Sequence, residues 1–166
     1  VWNHFDGKPT VRIVEDNEEM RYYLKAVLGE SVNVIEAANG RQALNWLEPN
    51  QPDLIITDMM MPEMDGREFV AYLKKSETYR KIPVITLTAL VDKENQLSML
   101  QMGIDDYIIK PFNPAELRIR VCNLLRNYAE RKIFNEQPTE PDDVMPDSIE
   151  AEEFRNKITE YVLAKM

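Results

Sequence analysis

The chain has 166 residues, 44% of them hydrophobic and 30% charged, with a net charge of −9 and a pI near 4.7. That composition suits one compact domain with an appendage, and the acidic balance leaves no basic footprint for binding nucleic acid. A lone cysteine, Cys122, excludes an internal disulfide or a cysteine zinc cluster, and a lone histidine, His4 in the N-terminal tail, excludes a Ser/His/Asp triad built from core residues.

Short apolar runs alternate with helical patterns along most of the chain. "VRIV" (11–14) reads as a strand, followed by a helix from about Glu18 with Met20, Leu24, Val27 and Leu28 on one stripe and Gly29 as its stop. "VNVIE" (32–36) leads through Asn39-Gly40 into a short helix carrying Ala43, Leu44 and Leu47. "LIIT" (54–57) precedes a helix near 66–75, and "VITLT" (84–88) precedes one near 92–102. "YIIK" (107–110) is followed by Asn113 as an N-cap and a helix with Leu117, Val121, Leu124 and Tyr128 on its inner face. Five such strand–helix units with nearly continuous apolar strands predict an α/β domain: a doubly wound parallel sheet covered on both faces. Arg12 interrupts the first strand and fits only at an exposed position near the strand's start.

Residues 136–147, "EQPTEPDDVMPD", hold three prolines and five acids and read as a linker. Residues 148–166 then look helical, with Ser148 as N-cap and Phe154, Ile158, Tyr161 and Val162 as an apolar stripe. The expected organisation is a tail over 1–9, a domain over 10–129, a linker over 130–147 and a separate helix over 148–166. A start at Val1 rather than Met points to a piece of a longer protein. No apolar run approaches the roughly 18 residues of a membrane span, so the expectation is a soluble, cytoplasmic protein without membrane contact.

With the strand order 2-1-3-4-5 common to open five-stranded sheets, ligands bind beyond the carboxyl ends of the first and third strands. The residues leaving those strands are Glu15, Asp16 and Asp58. Three carboxylates in one crevice repel unless a cation neutralises them, and an all-oxygen set of this size suits Mg²⁺, with a backbone carbonyl of the next turn as a further ligand. The fourth and fifth strands end at Thr88 and Lys110, whose hydroxyl and ammonium point to the same rim. A divalent ion, an ammonium and a hydroxyl around one carboxylate suit transfer of a phosphoryl group onto Asp58, with the following turn supplying metal contacts and flexibility. Singly, these residues have plain readings: helix-start charges for Glu15 and Asp16, a loop carboxylate for Asp58, an ordinary strand end for Thr88 and a surface position for Lys110. Asp105-Asp106 read as a solvated turn, and Met59–Met61 as loop packing. It is the coincidence of four strand ends that argues for a site.

The stretches "VRIVEDNEEMR", "PDLIITDMMMPEMDG", "IPVITLTAL" and "GIDDYIIKPF" together resemble the receiver domains of bacterial two-component response regulators. The resemblance implies a flavodoxin-like (βα)5 fold in which Asp58 accepts phosphate from a histidine kinase's phosphohistidine. It implies that Mg²⁺ is held by Glu15, Asp16, Asp58 and the Met60 carbonyl, and that Lys110, ahead of a cis bond to Pro111, pairs with the phosphoryl group. Thr88 and Tyr107 would be the switch residues, and the face of the fourth helix, fifth strand and fifth helix a possible homodimer surface. Such a domain assists its own phosphorylation and dephosphorylation, kinase activity residing elsewhere in a full-length chain. The tail is similar to that of hybrid sensor kinase/response regulators with an AraC-type output domain, of which only the entry helix would be present; no nucleic acid is expected to bind this piece alone. A receiver-like scaffold that is not phosphorylated is the alternative. A flavodoxin-type cofactor binder would need a phosphate loop where "EDNEE" stands, and a haloacid-dehalogenase-type phosphatase would need an Asp where Met60 stands.

Overall fold

The computed structural model describes residues 7–47, 51–61, 63–89 and 93–136, with side chains through 131. The chain divides into two compact units, Val1–Phe134 and Asn135–Met166. His4, most of the expected linker and the whole 148–166 helix lie outside the described residues.

Ten elements alternate: β1 (Thr10–Val14), α1 (Glu18–Leu28), β2 (Asn33–Ala37), α2 (Gly40–Leu47), β3 (Leu54–Asp58), α3 (Gly66–Lys75), β4 (Val84–Thr88), α4 (Lys93–Gln101), β5 (Asp106–Ile109) and α5 (Pro114–Glu136). The strands form one parallel sheet in the order β2-β1-β3-β4-β5. This is the fold class and strand order read from the sequence. Helix α5 continues to Glu136, beyond the boundary at 129 and into the stretch expected as linker.

Alternation along each strand divides the core into two layers. Val11, Ile13, Leu54, Ile56, Ile85, Leu87 and Ile108 face α1 and α5, packing with Leu24, Leu28, Leu117, Val121 and Leu125. Val14, Ile55 and Val84 face the other way, against Ala43 and Leu47 of α2, Phe69, Val70 and Leu73 of α3 and Met99 of α4. Both faces of β3 and β4 are therefore buried, which is why their sequences are continuous apolar runs. On α5 the fully buried positions are Leu117, Val121, Leu125 and Ala129, while Leu124 and Tyr128 are half-buried. The four-residue spacing rotates the inner stripe one position from the one expected.

Local caps set the helix starts. Asn17 Oδ1 accepts from the Met20 amide (2.9 Å), Asp65 Oδ1 from the Glu68 amide (2.9 Å), and Asn113 Oδ1 from the Ala115 amide (2.8 Å). Asp105 is exposed and Asp106 half-buried, and both acids, expected as a solvated turn, hold specific partners. Asp105 Oδ2 accepts from the Val84 amide (2.8 Å), and Asp106 Oδ1 from Arg120 Nη1 (2.7 Å), so the pair fixes β5 to β4 and α5.

Arg12 departs from its expected exposed position. It is 3% exposed in β1, between Ile35 and Ile55 on the flanking strands. Its guanidinium lies 4.6 Å from the ring centroid of Trp46 on α2. The face of an indole attracts a cation, and the alkyl stem fills core volume, so the α2 side of the sheet tolerates a charge there. Burial lowers the Arg12 pKa to about 10, which keeps it charged at neutral pH. Its Nε has no hydrogen-bond partner among the described residues.

A buried cation held by a ring and missing one hydrogen bond predicts an asymmetry between two variants. Arg12→Met should hold or raise the urea midpoint, because it removes the unpaired N–H while keeping volume. Trp46→Leu should lower stability by about 1–2 kcal/mol, because it strips the ring from the charge. Urea unfolding followed by circular dichroism reads both; a larger loss for Arg12→Met than for Trp46→Leu would contradict this account.

Candidate phosphoacceptor site

Parallel strands in level register bring their carboxyl ends to one rim. Asp58 is the last residue of β3 and pairs with Leu87 of β4; Thr88 ends β4 and pairs with Ile109 of β5. Glu15 and Asp16 follow β1 directly, and Lys110 follows β5. An open cleft of about 520 Å³ results, its walls including Glu15, Asp16, Asp58, Lys110, Met20 and Tyr23. A larger groove of about 810 Å³ beside α1 and Glu36 has no such convergence of carboxylates.

Carboxylate oxygens of Glu15, Asp16 and Asp58 all lie within 4.8 Å of one another. Glu15 and Asp58 are buried and Asp16 is exposed. Lys110 Nζ bridges the two buried acids, 3.4 Å from Glu15 Oε2 and 3.4 Å from Asp58 Oδ2. The Lys110–Pro111 peptide is cis. Asp58 Oδ1 accepts from the Met59 amide (2.8 Å), with the Met60 amide at 3.4 Å, so one carboxylate oxygen is anchored and the other faces the lysine.

The electrostatics favour a further positive charge. Burial, and then the neighbouring Asp58 charge, raise the Glu15 pKa to about 7, against the opposing pull of Lys110. One ammonium does not offset three converging carboxylates. An additional cation would, and every side-chain donor around the position is a hard oxygen.

Thr88 is buried at the tip of β4, and its carbonyl accepts from the Lys110 amide (2.7 Å), which locks the lysine's backbone to the strand carrying the hydroxyl. Tyr107 stands apart from the acids. It is half-buried on the α4 side of β5, in register with Thr86 and packed against the cluster containing Met99. Met59 and Met61 are buried, while the Met60 side chain is 74% exposed, leaving only its backbone to take part in the site.

The turn after Asp58 closes on a specific backbone contact. Gly66 N donates to the Met59 carbonyl (3.1 Å), folding the loop back on itself. A Cβ at residue 66 would collide with the Asp58 carbonyl and lie 2.7 Å from Met59 Cα. Glycine is needed there for close approach, and Glu63, at φ 66°, makes the reversal. The "DG" at 65–66 was a legible signal, since Asp65 caps the helix that Gly66 begins. Arg21, which the sequence reading passed over, also reaches the site: its Nη1 donates to the carbonyls of Glu15 (2.7 Å) and Asp16 (3.3 Å).

Comparison with known proteins agrees with this geometry. The response regulator receiver domain family matches residues 11–122. Histidine kinase P4 of Formosa agariphila is 37% identical over 145 residues, covering 86% of this chain and 11% of that protein. The signal receiver domain of a signal transduction histidine kinase from Syntrophus aciditrophicus is 36% identical with a TM-score of 0.68, over 82% of this chain and 98% of that one. The receiver domain of sensor histidine kinase PA1611 from Pseudomonas aeruginosa, solved with a magnesium ion coordinated in its active-site cleft, is 30% identical with a TM-score of 0.65, over 75% and 99% of the two chains. The chain spans 8–12% of the histidine kinases it matches and 47–54% of matching transcriptional regulators. With the sheet order, the acidic rim and the bridging lysine all in place, the chain belongs to the response regulator receiver domain family of two-component systems.

Proposed function

We propose that this domain accepts a phosphoryl group on Asp58 from the phosphohistidine of a histidine kinase. The observation that carries the reading is Lys110 Nζ at 3.4 Å from Asp58 Oδ2, inside a ring of carboxylates that needs one more cation. Asp58 Oδ2 attacks phosphorus in line, the P–N bond of the phosphohistidine breaks, and the imidazole leaves with the bonding pair. Lys110 Nζ and the Thr88 hydroxyl bind oxygens of the transferred group, and the Met59 amide keeps Asp58 oriented through its other oxygen. Glu15, Asp16, Asp58 and the Met60 carbonyl would hold Mg²⁺. Bound there, the ion would supply positive charge toward the phosphoryl oxygens and the acids. The magnesium of the PA1611 receiver supports this assignment.

The switch residues in this reading are Thr88 and Tyr107, both on the sheet face covered by α4. Helix α4 is loosely held, with Met99 its only fully buried residue and Leu97 and Leu100 exposed. Ile119 of α5 is also exposed, which supports the α4–β5–α5 face as a self-association surface. The matching kinases support a partner kinase domain in the same full-length chain. The tail stripe Phe154, Ile158, Tyr161 and Val162 supports an AraC-type output domain beyond it, with a transcriptional role in the cytoplasm. Among the described residues no helix is long and apolar enough to cross a membrane.

Incubation with acetyl phosphate and Mg²⁺ should add one phosphoryl group by intact mass, and Asp58→Asn should take none; undiminished labelling of that variant would place the acceptor elsewhere.

Glu15 makes metal-free stability depend on pH. Its folded pKa lies above the ordinary carboxylate value, so the folded state holds a proton that the unfolded chain releases. Stability in EDTA should therefore fall as pH rises from about 5 to about 8, and Mg²⁺ should restore it at the upper end. Glu15→Gln should flatten the trend. Urea midpoints at the two pH values test this, and an equal slope in the variant would remove Glu15 as its source.

Beryllofluoride, a phosphoryl mimic, should shift the sedimentation coefficient toward a dimer, and charge reversal at Arg120, which joins β5 to α5 through Asp106, should suppress that shift. Sedimentation unchanged by beryllofluoride would count against the surface.

A further inference from the structure

We infer that Arg21 is a positioning residue for the metal-binding acids, an inference that rests on the phosphoacceptor reading of the site. Arg21 lies one turn into α1, and its backbone amide bonds the Asn17 carbonyl (3.0 Å). From there a single nitrogen, Nη1, donates to two consecutive carbonyls, those of Glu15 (2.7 Å) and Asp16 (3.3 Å). On the other side the Glu15 amide donates to the Ala37 carbonyl of β2 (3.0 Å). The dipeptide that carries two of the three acids is thus gripped from both α1 and β2. The other end of the guanidinium faces β2, with Nε 4.0 Å from Glu36 Oε1, and Lys25 Nζ stands 3.8 Å from the same carboxylate.

The grip matters because the acids it supports repel each other. Left to itself, the Glu15-Asp16 segment would relax so that its carboxylates move away from Asp58. Bonds to the backbone, rather than to the carboxylates, resist this without occupying any metal-facing oxygen. Groups of this kind, which touch ligands and not the ion, typically change metal affinity by about 10–100-fold when removed.

Two other roles give different signs. A purely electrostatic Arg21 would repel a divalent cation, so its loss would tighten binding. A purely structural Arg21 would lower the stability of the metal-free fold. The Arg21 side chain is 19% exposed, so truncating it to Ala would open the carbonyls to water, and positioning predicts little change in metal-free stability, or a small gain as repulsion relaxes.

The test is calorimetric titration of the full chain with Mg²⁺ alone, at about pH 8 so that Glu15 is ionised. Wild type, Arg21→Ala and Arg21→Lys are compared, with thermal unfolding of each in EDTA. The expected result is affinity about 10-fold weaker in Arg21→Ala, an intermediate value in Arg21→Lys, which keeps a charged donor on a shorter side chain, and metal-free midpoints that match wild type. Equal or tighter binding by Arg21→Ala while wild type binds normally would overturn the inference alone. Weakening that appears only with a matching loss of metal-free stability would also overturn it, in favour of a structural role. A wild-type chain that binds no Mg²⁺ would overturn the phosphoacceptor reading and this inference together.

Discussion

Repulsion among Glu15, Asp16 and Asp58 is the constraint around which this domain is built. Like charges within 4.8 Å of one another, two of them buried, are unfavourable in any fold that does not hold them together. The molecule does so with a rigid parallel sheet, level strand ends and one bridging ammonium. Lys110 is tied by its backbone to β4 and by its side chain to Glu15 and Asp58, which makes it the cross-brace between opposite sides of the cleft. Burial of Glu15, and after it the neighbouring Asp58 charge, raise its pKa against the pull of that brace.

In the proposed function, that arrangement is what would make the site responsive. A cation entering the cleft, or a phosphoryl group bound beside Lys110, changes the balance of charge at a point where several elements meet. Behind the rim, the β4 and β5 faces carrying Thr88 and Tyr107 pack against α4, a helix that buries only Met99 fully. A loosely held helix beside a charged pocket has the low local stability from which moving elements are drawn. The opposite layer, where α1 and α5 bury Leu24, Leu28, Leu117, Val121 and Leu125, has many more buried side chains than α4.

The supporting parts follow from the same constraint. Gly66 lets the loop after β3 close against Asp58, where any side chain would strike the backbone. Asn17 and Asp65 start the helices beside the acids, and Arg21 grips the carbonyls between them. Arg12 and Trp46 show a different solution to a buried charge, in which a ring face substitutes for an anion on the α2 side of the sheet.

What the sequence determined by itself is what periodicity and residue type encode locally. Continuous apolar runs specified buried parallel strands, and helical stripes placed the helix starts to within a few residues, although α5 runs on past the boundary expected at 129. The acids, the hydroxyl and the lysine at four strand ends specified the candidate site, because parallel strands always bring their carboxyl ends to one rim. Tertiary structure decided whatever depends on partners distant in the chain. Arg12 looks like a surface residue until Trp46 is brought over it, Asp105 and Asp106 look unpartnered until Val84 and Arg120 arrive, and Gly66 looks like an ordinary helix start until its backbone meets Asp58. Each of those roles comes from a contact formed when separate segments pack. A short window of sequence holds one half of such a contact, and only the folded chain supplies the other.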